Sequence, residues 1–148
     1  MLITHPELVE VARPLFRDGY FARAVEEGLK ALTSYVRNLS GLHYDGRTLM
    51  EQAFSVNTPV IALNGLRNQS ERDEQAGYMA ILAGCVQGVR NPRAHDHRLT
   101  DAPETAIQLL VMAEHLFQKI DSAQVRPRPV ESGAVDPKLA IRGDVGSP

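Results

Sequence analysis

The chain has few of the features that stabilise secreted proteins or anchor membrane proteins. Its single cysteine, Cys85, excludes an internal disulfide bond, and the apolar residues around it predict a buried thiol. No run of about eighteen apolar residues is present to span a bilayer. The N-terminus also lacks the basic start and the apolar stretch of a signal peptide. We therefore expect a cytoplasmic protein with no membrane partner.

An excess of positive charge is also lacking, as is tryptophan. The formal net charge is -2, and the chain contains four Phe, four Tyr and no Trp. Such a chain has no long-range positive field that would attract nucleic acid non-specifically, so any contact with RNA must be local. The segment 88–98 offers such a place, because Arg90, Arg93 and Arg98 are balanced there only by Asp96.

Strand-like alternation is nearly absent, and helical periodicity dominates the first 121 residues. We therefore predict an all-α fold, a bundle of four to five main helices in a domain over residues 1–121. Proline and glycine become frequent after that point while apolar periodicity stops. Residues 122–148 are expected to form an extended or flexible C-terminal tail. Within it, VRPRPV and PKLAIRG are candidates for extended pieces that lie on another surface.

Glycine and loop signals predict the boundaries in the first half of the chain. A first helix with an apolar stripe ends near Asp18-Gly19, and a second runs from Tyr20 to Gly41. Residues 40–46 are expected to form a loop, followed by a short helix from Arg47 to Phe54.

Capping signals predict the boundaries in the second half. Residues 55–69 read as an irregular connection, after which Ser70 is expected to cap a helix. That helix should end near residues 89–90, because Pro92 disfavours helical angles at the residue before it. Asp101 is then expected to cap the last helix.

The sequence RNPRAH, from Arg90 to His95, admits two interpretations. It is first a helix end: an arginine complements the negative end of the helix dipole, Asn91 tolerates a left-handed cap, and Pro92 prevents continuation. This interpretation needs no function, but it leaves Arg93 and His95 unexplained because they lie beyond the expected end.

The second interpretation is a phosphate site with a proton carrier. Cleavage of RNA without a metal requires a group that removes the 2′-hydroxyl proton, a group that protonates the leaving oxygen, and a cation beside the phosphate. Histidine titrates near neutrality, and arginine matches phosphate oxygens with a planar fork. Arg90 and His95 are five positions apart across an expected proline-broken turn, so both are predicted to point into one cleft.

The motif and its flanking sequence resemble a known family. RNPRAH is similar to the arginine, polar residue, spacer and histidine pattern of the HEPN superfamily. The stretches ARAVEEGLKAL, after Gly19 and Tyr20, GRTLMEQAF, and DEQAGYMAILAGCVQGVRNPRAH resemble its Ymh-type branch, small domains associated with prophages and abortive infection. The resemblance covers roughly residues 5–120 and leaves the tail outside.

The resemblance implies a helical bundle that forms a homodimer in which two such motifs face each other. It also implies a metal-independent endoribonuclease without cofactor, acting on RNA in phage defence or as a toxin. Arg90 would bind the scissile phosphate, Asn91 would orient the site, and His95 would transfer the proton. An antitoxin or a sensor protein is a further expected partner. Some relatives have lost cleavage, so a non-catalytic interaction or RNA-binding module that binds a partner protein stays an alternative.

Other groupings of polar residues are weaker indications of a functional site than RNPRAH. A metal site could be built from His95, Asp96 and His97 with the distant His43 and Cys85, but these residues lack the familiar spacing of three or four zinc ligands, so no metal is expected. Glu26 and Glu27 could face the cleft of a bundle, but a solvated helix face is the expected interpretation, and Glu71, Asp73 and Glu74 are expected to form a charged helix start.

Overall fold

The computed structural model describes residues 2–126, which fold into a helical bundle. Its helices are α1 (Pro6–Arg17), α2 (Phe21–Ser40), α3 (Gly46–Ala53), α4 (Gln69–Gly84), α5 (Asn91–His95) and α6 (Pro103–Asp121). A π-helix over Cys85–Arg90 joins α4 to α5. Two short strands, β1 (Ile61–Ala62) and β2 (Gln124–Val125), pair antiparallel. The prediction of an all-α bundle is confirmed.

The expected tail lies mostly outside the described residues. Its first part contains β2, and the N–H of Arg126 donates to the carbonyl of Val60 at 2.6 Å, so the chain crosses back over the 55–69 connection. The rest of VRPRPV and all of PKLAIRG belong to residues 127–148 and are not described. The division into a domain over residues 1–121 and a tail stays a prediction.

Helix α2 lies at the centre of the bundle and contacts α1, α3, α5, α6 and the π-helix. Its predicted ends are confirmed within one residue. Gly19 before the helix and Gly41 after it have φ angles of 83° and 66°, which glycine adopts without strain, so both positions suit a chain reversal. A methyl group on Gly28 would approach the Leu8 side chain to 2.7 Å, so this glycine allows α1 to pack closely on α2. The largest fully buried side chains of the core include Phe54, Phe117, Leu8, Leu29, Leu32 and Leu49.

Both predicted helix caps of the second half are wrong. Helix α4 is capped by Asn68, whose Oδ1 accepts the backbone N–H of Glu71 at 3.0 Å, and Ser70 lies inside the first turn. Asparagine caps a helix as well as serine does. A polar cap was therefore correctly expected at this helix start, but it lies two residues before Ser70. Helix α6 starts after Ala102 without a side-chain cap, because Asp101 is engaged elsewhere.

The predicted end of the helix before Pro92 is also wrong. The backbone stays helical through α4, the π-helix and α5. At the end of the π-helix the Asn91 N–H donates to the carbonyl of Val86, five residues back. Proline lacks an N–H, and in a regular α-helix its ring collides with the carbonyl four residues earlier. The wider π-turn relieves that collision, so Pro92 lies in the first turn of α5.

A buried glutamine holds the 55–69 connection against α4. The Gln75 amide group donates to the carbonyls of Phe54 at 3.0 Å and Ile61 at 2.9 Å, and its Oε1 accepts the N–H of Leu63 at 2.9 Å. The side chain is fully buried, so these three backbone groups depend on it for their hydrogen bonds. The irregular connection predicted here is therefore ordered by one polar side chain.

Candidate functional site

Arg90 lies at the junction between the π-helix and α5. Its side chain is partly buried, and its Nη1 donates to Oδ1 of Asn91 at 2.8 Å. The Nε atom of the same guanidinium is inaccessible and has no hydrogen-bond acceptor within residues 2–126. An arginine at a π-helix end with an unused donor is unusual, because buried donors are nearly always paired.

His95 lies one turn beyond Asn91 on α5, with its imidazole exposed to solvent. Residues four apart on a helix share a face, with Cβ atoms about 5–6 Å apart. Arg90 and His95 are five apart on a continuous helix, so they are rotated by roughly 140° about its axis. Arg90 and His95 were expected to point into one cleft across a turn broken by Pro92. The helix is continuous instead, so the two residues project in different directions from it. Arg90 donates to Asn91, which is the residue that shares a helix face with His95.

Arg93 is bound within the protein rather than free for a ligand. Its Nε and Nη2 donate to the two carboxylate oxygens of Asp101 at 2.7 and 2.8 Å, and its Nη1 donates to the carbonyl of Val89 at 2.8 Å. Both members of this bidentate pair are nearly buried. The segment 88–98 is thus less cationic than its sequence indicates, because Asp101 neutralises one of its three arginines.

Two adjoining clefts open beside α5, between it and the start of α2. The first, which we call the Tyr20 cleft, has a volume of about 270 Å³ and is lined by residues 19–23, His97 and residues 99–101. The second, of about 210 Å³, shares Arg23 and His97 with it and extends to Arg93 and Asp96. Neither Tyr20 nor Arg23 was predicted as a site residue, and the one sequence signal for Tyr20 was an aromatic side chain at a helix start, where the core does not require one.

Residues 3–120 match the model of the family Hypoth_Ymh, described as a protein of unknown function. The chain belongs to the Hypoth_Ymh family. The matched region begins before α1 and ends one residue before the end of α6, so Arg90, Asn91, His95 and both clefts lie inside it. No curated protein and no solved structure gives a significant match.

The Hypoth_Ymh chain buries one carboxylate that the sequence analysis placed on a solvated face. Glu26 is only 4% exposed, on the wall of the second cleft. Its oxygens lie 2.5 Å from Nζ of Lys30 and 3.3 Å from Nη1 of Arg23. The hydrogen bond to Glu26 raises the pKa of Lys30, against the opposing effect of its partial burial. Residue 26 therefore anchors two cations beside the clefts, while Glu27 keeps the predicted partly exposed position.

Other chemistries have little support in the described part of this Hypoth_Ymh chain. Within residues 2–126, no group of three or more His, Cys, Asp or Glu side chains is arranged to hold a metal ion. The prediction of a buried thiol is confirmed: Cys85 lies 4.0 Å from Sδ of Met112, and burial raises the pKa of its thiol. A thiol of this kind is a poor nucleophile.

None of the helices within residues 2–126 has both the length and the apolar character needed to cross a bilayer.

Proposed function

We propose that the chain is a member of the HEPN superfamily and a metal-independent endoribonuclease. The observation that carries the proposal is the cluster at the end of the π-helix, where the Arg90 guanidinium donates to Asn91 and the exposed His95 lies one turn after Asn91 on the Asn91 face of α5. A partly buried guanidinium and an exposed imidazole five residues apart are the kinds of cation and proton carrier that a phosphodiester substrate requires. The RNPRAH motif at this place supplies the superfamily resemblance.

Each residue of the cluster has a role in the proposed reaction. The 2′-hydroxyl attacks the adjacent phosphorus, the bond to the 5′-oxygen breaks, and a 2′,3′-cyclic phosphate forms. Arg90 stabilises the charge that develops on the phosphate oxygens. Asn91 holds the guanidinium in place through its Oδ1. His95 either removes the proton from the 2′-hydroxyl or delivers one to the leaving oxygen.

A homodimer completes this mechanism. One chain supplies one His95, whereas the reaction needs both a base and an acid, so a second copy would contribute the other imidazole. A candidate contact face lies on α4 and the π-helix, directly before α5. There Ile81 is 45% exposed, and open space surrounds Gly84 and Gly88, where a second backbone can approach closely.

The biological setting follows from the resemblance. An RNA-cleaving domain of this kind belongs to a phage-defence or toxin–antitoxin type system in the cytoplasm. A second protein, an antitoxin or a sensor, would hold the activity in check until infection. The alternative is a non-catalytic module that binds RNA or a partner protein with the same bundle.

The test is cleavage of a dye-labelled single-stranded oligoribonucleotide by the full chain in the presence of EDTA. We expect cyclic phosphate ends, identified by mass spectrometry, and no cleavage of the same sequence carrying 2′-O-methyl groups. His95→Ala should lower the rate at least about 100-fold, the usual contribution of a proton-transfer group. His43→Ala, which changes an equally exposed histidine in the loop after α2, should retain the rate.

Light scattering checks that both variants keep the oligomeric state of the wild type. A wild-type chain that is monomeric at micromolar concentration yet cleaves would eliminate the two-chain site. Equal cleavage by His95→Ala would remove His95 from the mechanism. RNA left intact by the wild type, together with a specific protein partner recovered in pull-down, would favour the non-catalytic module.

A further inference from the structure

The Tyr20 cleft is an open space between the start of α2 and the loop after α5. His97 lines both clefts, and it follows His95 by two residues at the end of α5. His95 itself lines neither cleft, so a strand bound at His95 would reach the Tyr20 cleft past His97. Its volume of about 270 Å³ falls just below the range of pockets that enclose drug-sized ligands, which suits a single flat ring system.

Two ring side chains from different elements converge on the cleft. Tyr20, directly before α2, is 63% exposed, and its ring makes no contact with another aromatic ring in the described part of the chain. His97 comes from the loop after α5 and is also exposed. Exposed aromatic rings are the surfaces on which proteins stack the unpaired bases of single-stranded RNA.

The charges around the cleft favour a neutral ring over a phosphate. Arg23 is paired with Glu27 at 2.9 Å and with Glu26 at 3.3 Å. Arg93 is paired in bidentate fashion with Asp101. A phosphate would have to compete with these carboxylates for each guanidinium, whereas a base that stacks on Tyr20 leaves all of the ion pairs intact.

We propose that the Tyr20 cleft is a nucleobase subsite, in which the ring of Tyr20 stacks on one unpaired base of single-stranded RNA adjacent to the phosphate at Arg90 and His95. The proposal rests on the ribonuclease function proposed above and adds a substrate class to it: the RNA must be unpaired at this position. His97 borders the same base from the other element. Sequence preference then arises from stacking and from the shape of the cleft rather than from a long-range charge field.

The experiment measures binding rather than cleavage. A full chain carrying His95→Ala keeps the RNA intact, and fluorescence anisotropy with a dye-labelled single-stranded oligoribonucleotide gives the dissociation constant. Adding Tyr20→Ala should weaken binding about tenfold, the usual effect of losing one base–aromatic stack. Tyr20→Phe should keep the affinity within about twofold, because the ring remains. Tyr44→Ala is the matched control, since Tyr44 is also exposed but lines neither cleft.

A set of oligonucleotides that each lack one base locates the contact. One abasic position should lower the affinity for the His95→Ala chain by the same factor as Tyr20→Ala, and should have no further effect once Tyr20 is replaced. Unchanged affinity of the Tyr20→Ala variant, or equal sensitivity to every abasic position in both chains, would overturn the subsite. Competition by inorganic phosphate alone at the same concentration as RNA would also overturn it, in favour of an anion site.

Two further comparisons distinguish a free nucleotide from RNA as the ligand, and the base subsite from the ribonuclease function. Mononucleotides that bind through Tyr20 while oligoribonucleotides do not would replace the RNA subsite with a nucleotide site. If the wild type cleaves RNA but binding is independent of Tyr20, the subsite fails and the ribonuclease stands. If binding depends on Tyr20 but the wild type never cleaves, the ribonuclease fails and the base subsite stands.

Discussion

At the scale of single residues, Arg93 fixes the position of α5 more directly than any residue of the candidate cluster. Its guanidinium joins the carbonyl of Val89 in the π-helix to the carboxylate of Asp101 before α6. Both side chains of the pair are nearly buried, so removal of either one leaves the charge of the other without a partner and with little access to water. The sequence alone could not reveal this contact, because Arg93 and Asp101 are eight positions apart and Asp101 also suited the role of a helix cap.

Asp101→Ala should lower the free energy of unfolding by about 3 kcal/mol, since it leaves a buried guanidinium without its carboxylate. The double variant Arg93→Met with Asp101→Leu should recover much of that loss, because both charges are then gone. Chemical denaturation monitored by circular dichroism gives these values. The matched control is Glu51→Gln, which breaks the exposed pair with Arg47 and should cost less than about 1 kcal/mol. Equal losses for Asp101→Ala and Glu51→Gln would mean that the buried pair does not hold α5.

At the scale of elements, the connection between α3 and α4 depends on α4 for its order. Besides the three backbone hydrogen bonds of Gln75, the Asn64 amide donates to the carbonyl of Glu71 at 2.7 Å. The carboxylate of Glu71 accepts the backbone N–H of Arg67 at 2.7 Å, and the Arg67 guanidinium lowers the pKa of this carboxyl. The acidic start of α4 is thus more than a charged helix end: it binds the loop that precedes it.

Gln75→Leu should lower the free energy of unfolding by about 3 kcal/mol, because the leucine fills the space but leaves buried backbone groups of the connection unpaired. Hydrogen exchange should show faster exchange of the Leu63 amide, whose acceptor is lost. Gln108→Ala, an exposed glutamine on α6, serves as the control and should change stability by less than about 0.5 kcal/mol. Leu63 protection that survives Gln75→Leu would contradict this account of the connection.

At the scale of the whole molecule, apolar periodicity and glycine ends were enough to predict the helical class, the end of α1 and both ends of α2. Helix starts set by long-range competition were not predictable. Asp101 could not cap α6 once Arg93 bound it, and Pro92 did not end the helix because a π-helix accommodated its ring. The candidate motif was visible in the sequence, whereas the adjoining clefts depend on how α2 meets the loop after α5 and could only come from the structure.

A buried carboxylate on α6 binds the residues that precede α1. Oε1 of Glu114 on α6 accepts the Thr4 hydroxyl at 2.7 Å, and its Oε2 accepts the backbone N–H of His5 at 3.0 Å. Burial alone would raise the pKa of Glu114, but the backbone N–H of His5 and the other hydrogen bonds together lower it below the ordinary value of 4.5. The charged form is therefore the one that stabilises the fold.

This carboxylate makes the stability of the molecule sensitive to acid. Because the pKa of Glu114 is lower in the folded chain, its contribution is complete above pH 4.5 and is lost as the pH falls through the folded pKa. At pH 7, Glu114→Gln should lower the free energy of unfolding by about 2 kcal/mol. The difference from wild type should shrink steadily below pH 4.5, as followed by denaturant unfolding at several pH values. Glu10→Gln, at an exposed position on α1, should give no such trend. If the difference in free energy of unfolding between wild type and Glu114→Gln stays constant from pH 7 to the acid limit, the shape of the side chain, rather than its charge, stabilises the contact between the N-terminus and α6.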